Sequence, residues 1–123
     1  MARDKSLDTL LDLDGEVMTI DEHGNWVKFE VSKVQVTANK PHGISYSLTL
    51  HNKSGKRIFG MDNAHRAMDG KARKYKARVV EYDHEHPDGS RVSVVYKFET
   101  PQKLIEDFWR RVDKRIDDLH GGD

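Results

Sequence analysis

The 123-residue chain has no cysteine, which excludes a disulfide framework, a thiolate metal site and a thiol nucleophile. It also has no apolar run approaching the ~18 residues that cross a bilayer. Residues 1–13 show neither a signal-peptide core nor a small-residue cleavage site, so a cytoplasmic protein with no membrane association is expected. Apolar residues are few, 36% against 34% charged. Both tryptophans, the tyrosines and most β-branched residues nevertheless fall in patterned segments, which disordered chains lack. A folded chain follows, and its length suits one domain over residues 1–123. There is no serine-nucleophile elbow and no phosphate-cradling glycine loop.

Net charge is absent too, with 21 basic residues balancing 21 acidic ones, so the total argues neither for nor against nucleic acid. Its distribution is uneven. Residues 1–30 hold three basic against eight acidic residues, and 31–65 hold five against one. Residues 66–78 hold six basic (Arg66, Lys71, Arg73, Lys74, Lys76 and Arg78) against Asp69 alone, with Tyr75 among them. Cations interleaved with an aromatic suit phosphate neutralisation and base stacking, so these seven residues are candidate RNA contacts. A solvated loop, or a surface for an acidic partner segment, is the competing reading of the same run.

Residues 26–36 alternate, with Val27, Phe29 and Val31 on one side and Trp26, Lys28 and Glu30 on the other, which predicts a half-buried strand. Residues 17–20 supply its hairpin partner across a turn containing Gly24 and Asn25. Residues 44–51 and 57–61 form a second hairpin around Asn52-Lys53-Ser54-Gly55, and 79–86 and 92–99 a third around Pro87-Asp88-Gly89-Ser90. After Thr100 the apolar spacing becomes three and four, through Ile105, Phe108, Val112, Ile116 and Leu119. That predicts an amphipathic helix with Thr100 as N-cap, Pro101 at the first position and Gly121 near its end. Residues 5–11 suit either a short helix or a frayed lead-in. The fold class expected is α+β, an antiparallel sheet of hairpins with the C-terminal helix packed on one face; strand order is not readable.

Several stretches together resemble the TumE family of toxins: Leu13-Asp14-Gly15-Glu16 leading to Trp26-Val27-Lys28-Phe29, Pro41-His42-Gly43-Ile44-Ser45-Tyr46, Gly60-Met61-Asp62-Asn63-Ala64-His65, and Tyr82-Asp83-His84-Glu85-His86. The closing Glu106-Asp107-Phe108-Trp109 carries the resemblance over nearly the whole chain. It implies the toxin of a type II toxin–antitoxin pair, neutralised by a cognate helix-turn-helix-type antitoxin and often acting on RNA.

The residues themselves offer matching chemistry. His84 and His86 leave the same face of their strand, and imidazole moves protons near neutral pH. Two histidines and an arginine suffice to cleave RNA through its own 2′-OH without metal or cofactor. The competing reading is an exposed strand end beside Pro87. Asp62 lies three residues before His65 and orients that imidazole if the chain turns after Met61; an Asx-capped turn is its alternative. Arg57 begins a strand in the direction of Asp62 and is the candidate phosphate ligand, ranked above Arg91. His42, at a strand entrance, completes the catalytic candidates, whereas Tyr46 reads as core. A metal held by His84, His86, Asp83, Asp62 and His65 stays open, but no recognised ligand spacing is present, and Asp83 leaves the opposite strand face. The expected function is therefore a metal-independent ribonuclease toxin; the alternatives are a non-catalytic RNA- or protein-binding toxin and a metal-dependent nuclease.

Overall fold

The computed structural model describes residues 5–37, 40–63 and 83–121. Its elements are α1 (Lys5–Asp12), β1 (Val17–Thr19), β2 (Trp26–Lys33), β3 (Ile44–His51), β4 (Arg57–Asp62), β5 (Asp83–His86), β6 (Val94–Tyr96) and α2 (Pro101–His120). The six strands form one antiparallel sheet in the order β1-β2-β3-β4-β5-β6. Every strand therefore lies beside its predecessor in sequence.

Register lines up the apolar alternation. Val27 faces Leu50, Phe29 faces Leu48 and Val31 faces Tyr46 across β2 and β3. Leu48 and Leu50 in turn face Met61 and Phe59 of β4. A slip of one residue would send this whole set to the other face, so the buried side fixes the pairing. Over it lies α2, whose Leu104, Phe108 and Val112 are fully buried in the same core. The Phe108 ring meets Phe29 edge-on at 5.5 Å and 70°, the offset geometry that aromatic quadrupoles favour. Thr100 caps α2, its Oγ1 accepting the Lys103 N–H at 3.1 Å, and Pro101 occupies the first turn. Of the two readings of the N-terminal segment the helix forms, and Leu10 of α1 is fully buried.

Two buried polar pairs sit in the core, the first between two strands of the sheet and the second between the sheet and α2. Tyr46 Oη donates to Asp83 Oδ2 at 2.6 Å, and Tyr96 Oη donates to Asp107 Oδ2 at 2.7 Å. Burial pushes both phenols well above their ordinary range, and the adjacent carboxylates push the same way. Burial pushes the Asp107 carboxyl up as well, but donors from Tyr96 and Lys103 outweigh it and hold the group below the ordinary value.

The third hairpin departs from its predicted extent. β5 begins at Asp83, and residues 79–82 lie outside the described residues. β6 spans only Val94–Tyr96. At its start the Val92 N–H donates to Ser90 Oγ at 3.2 Å instead of joining the ladder. Past its end Phe98 leaves the sheet to pack against His42 and Tyr46, with ring centroids at 4.0 and 6.1 Å.

Candidate functional site

Alternation sends a second, mostly polar set of side chains to the sheet face away from α2. Across the strands these form rows: Trp26 and His51; Lys28, Thr49, Gly60 and His86; then Glu30, Ser47, Asp62, His84 and Val95. His84 and His86 thus share a face, as their spacing predicts. Asp83 and Glu85 take the α2 side, where Glu85 pairs with Arg111.

Asp62 is not in a turn. β4 runs through it, and the buried Asn63 continues the strand's role: its Nδ2 donates to the Ile44 carbonyl at 2.7 Å and its Oδ1 accepts the Tyr46 N–H at 2.9 Å. With its backbone held straight, Asp62 faces β5 and pairs with His86, Oδ2 to Nε2 at 2.9 Å, the two side chains only 15% and 14% exposed. The residue directly opposite His86 is Gly60. With no side chain there, the imidazole leans diagonally across β4 to the carboxylate.

The other ring nitrogen, Nδ1, lies 3.0 Å from the Ser90 carbonyl oxygen. A carboxylate and a carbonyl both only accept, so the doubly protonated ring satisfies both partners and a neutral ring only one.

Arg57 reaches the same place through an irregularity. Arg57 and Asp62, five apart, would leave a regular strand on opposite faces, but the β3–β4 register shifts beside His51, so that Leu50 faces Phe59 and His51 faces Arg57. Ile58, the extra residue, is buried, and Arg57 comes out on the Gly60 face. Its Cδ and Nη1 lie 3.5 and 3.6 Å from where a Cβ on Gly60 would stand. Its Nε donates to the Gly89 carbonyl at 2.8 Å and its Nη2 to Ser90 at 3.3 Å. Gly89 is required here on two counts. Its φ is +81°, and an added Cβ would stand 2.2 Å from the Arg57 carbonyl oxygen. The β5–β6 turn thus packs on the start of β4, and Ser90 receives both the guanidinium and the imidazole.

The structure therefore brings Arg57, Asp62, His84 and His86 together on neighbouring strands. It does not bring His42 to them: that ring packs on Phe98 near the α2 side of the sheet. His65, which Asp62 was expected to orient, lies outside the described residues, as do Arg66, Lys71, Arg73, Lys74, Tyr75, Lys76 and Arg78. Among the described residues no group of three or more His, Cys, Asp or Glu is placed to hold a metal ion. Residue-by-residue reading missed Gly60, Gly89 and the Ser90 carbonyl. Gly60 had a signal, standing two residues before Asp62 on the same alternation; a backbone carbonyl has none.

A family model described as "Toxin TumE" matches residues 13–116. No curated protein and no solved structure matches the chain.

Proposed function

The chain belongs to the TumE toxin family, and from that premise we propose that it is the toxin of a bacterial type II pair, acting in the cytoplasm as a metal-independent ribonuclease. A cognate helix-turn-helix-type antitoxin neutralises it. The observation that carries the reading is the Asp62–His86–Ser90 chain of contacts beside His84 and Arg57.

In this mechanism neutral His84 removes the 2′-OH proton as that oxygen attacks the adjacent phosphorus. Asp62 holds His86 through Nε2, and His86 turns its Nδ1 proton from the Ser90 carbonyl to the departing 5′-oxygen and delivers it there. The P–O5′ bond breaks, leaving a 2′,3′-cyclic phosphate and a free 5′-hydroxyl. Arg57, with Nη1 over Gly60, opposes the charge gathering on the phosphate oxygens, and the basic residues of 66–78 hold the flanking strand.

One observation favours a second reading. Both His86 nitrogens already have partners within the protein, as a purely structural histidine would, and a non-catalytic toxin would use the same face only to occupy RNA. His84→Ala and His86→Ala separate the two. Acid/base roles require each to lower cleavage of purified RNA by about 10²–10⁴-fold, with RNA affinity kept and activity surviving EDTA. Parental cleavage by both variants would remove the acid/base assignment. Loss of cleavage in EDTA, restored by a divalent ion, would make the histidines ligands instead.

A further inference from the structure

At the far end of α2 a groove of about 760 Å³ opens between the last turns of the helix and the tips of the β1–β2 and β3–β4 hairpins. It lies on the helix side of the sheet, and none of the catalytic candidates lines it. Ile58 and Leu119 contribute an apolar floor. Beside them the imidazoles of His23 and His120 stack in parallel, centroids 3.9 Å apart and planes 4° from coplanar.

The stack is anchored from beneath. Asn25, 2% exposed, gives its side-chain amide to Asp21 Oδ2 at 2.8 Å and to His120 Nε2 at 3.3 Å. An amide nitrogen only donates, so Nε2 accepts and the His120 ring is neutral in this arrangement. Two flat rings are thereby fixed without the mutual repulsion of two imidazolium ions.

The walls are cationic. Arg115 is set in place by its Nε bond to the Ile58 carbonyl at 2.8 Å. Lys53 lies close over the first hairpin, its Cγ 3.0 Å from where a Gly24 Cβ would stand, and Lys56 follows it. Against these three charges stand two carboxylates: Asp88 in the lining, which accepts from Ser90 N and Oγ at 2.9 and 2.6 Å and feels the Arg115 charge, and Asp21 beneath the stack. The exposed carbonyls of the α2 C-terminus add only about half a negative charge. The excess is positive.

A flat π-surface bordered by lysines and a guanidinium suits a ring that carries phosphate. We propose that this groove binds a nucleotide, its base extending the His23–His120 stack and its phosphate held by Lys53, Lys56 and Arg115. The proposal stands whether or not the opposite sheet face cleaves RNA.

The test titrates the isotope-labelled full chain with AMP and, separately, with a short oligodeoxyadenylate, which lacks the 2′-OH and cannot be cleaved by internal attack. The ring resonances of His23 and His120 should shift with at least one probe. AMP alone sufficing identifies a free-nucleotide site; the oligonucleotide alone identifies a strand site. Lys53→Ala combined with Lys56→Ala, both in an exposed turn, should weaken the bound probe about tenfold or more, and for the oligonucleotide should lower the salt slope by roughly 0.7 per phosphate released. Arg115→Gln should act in the same direction; because neither probe can be cleaved by internal attack and the His23 and His120 resonances report the groove itself, failure of the groove is separate from failure of the nuclease reading. Unmoved His23 and His120 resonances with both probes at millimolar concentration, or unchanged affinity in the double lysine variant, would overturn the proposal.

Discussion

Asp62→Asn isolates the electrostatic part of the His86 contact. The amide keeps the volume of the carboxylate and one accepting oxygen, so packing between β4 and β5 is preserved and only the charge is removed. The pair is 2.9 Å apart with both side chains about 85% covered, so bulk water does little to screen it. A hydrogen bond to a charged group contributes about 1.5–3 kcal/mol and a neutral one about 0.5–1.5. The substitution therefore withdraws roughly 1–1.5 kcal/mol of support from the imidazolium. At about 1.4 kcal/mol per decade, the share of enzyme carrying the protonated acid, and with it single-turnover cleavage of a short RNA, should fall about tenfold wherever the neutral ring predominates. Asp62→Ala also removes the acceptor and should cost more. Stability should move little, because a change of about 1 kcal/mol shifts the melting temperature of a chain this size by only a few degrees. An Asp62→Asn protein that melts like the parent and cleaves at the parental rate throughout the range where histidine titrates would refute the role given to this carboxylate.

Phe108→Asp should abolish the cooperative melt, because Phe108 is fully buried between Phe29, Phe59 and Trp109: truncating such a ring costs about 3–5 kcal/mol before the charge is counted, out of a total of roughly 5–15. A parental melt would show that the α2 stripe is not packed on the sheet. The raised phenols of Tyr46 and Tyr96 stay protonated in the folded chain where the unfolded chain ionises, above about pH 10. Stability should therefore hold up to that pH and then fall by about 1.4 kcal/mol per unit for each tyrosine; urea midpoints should decline steeply in the parent and about half as steeply in Tyr96→Phe, and a flat profile would place the phenols in water. Replacing Lys71, Arg73, Lys74 and Lys76 with alanine should weaken RNA binding and lower its salt slope by roughly 0.7 per lost phosphate contact, with the melt unchanged; unaltered affinity would make 66–78 a solvated run.

How much of this could be read from the chain follows from where the signal is local. The strands of the first two hairpins, the C-terminal helix and its Thr100 cap depend on alternation, turn residues and three-four spacing, and each appears within a residue or a few of its expected place. The shared face of His84 and His86 depends on period two alone and was equally legible. What escaped depends on contacts between strands. The partner of Asp62 is set by the β4–β5 register, and no sequence spacing reports that Gly60 stands opposite His86. Arg57 depends on a bulge: strict alternation would have sent it to the core side and Ile58 to the surface, the reverse of what forms. His42 looked well placed because it precedes a strand, but the trajectory of Phe98 decided its surroundings. β6 was overestimated because β-branched residues at 92–95 suggest a longer strand than the Ser90 hydroxyl and the departure of Phe98 allow.

The order of the strands gives the basic run a relation to the candidate site that its own composition does not. Described chain ends at Asn63, just past β4, and resumes at Asp83, the first residue of β5. These strands are neighbours, with Asp62 directly opposite His84, so the segment carrying the six cations of 66–78 follows Asp62 by one described residue and rejoins the sheet one residue before His84. If that run draws in a polyanion, connectivity alone brings the polyanion to the edge of the candidate site. The two functions should then separate cleanly in kinetics: alanines in 66–78 should raise KM with kcat near the parental value, whereas His84→Ala should lower kcat with KM held. A drop in kcat from the alanine variant at saturating RNA would instead mean that a cation of this run acts on the phosphate being cleaved.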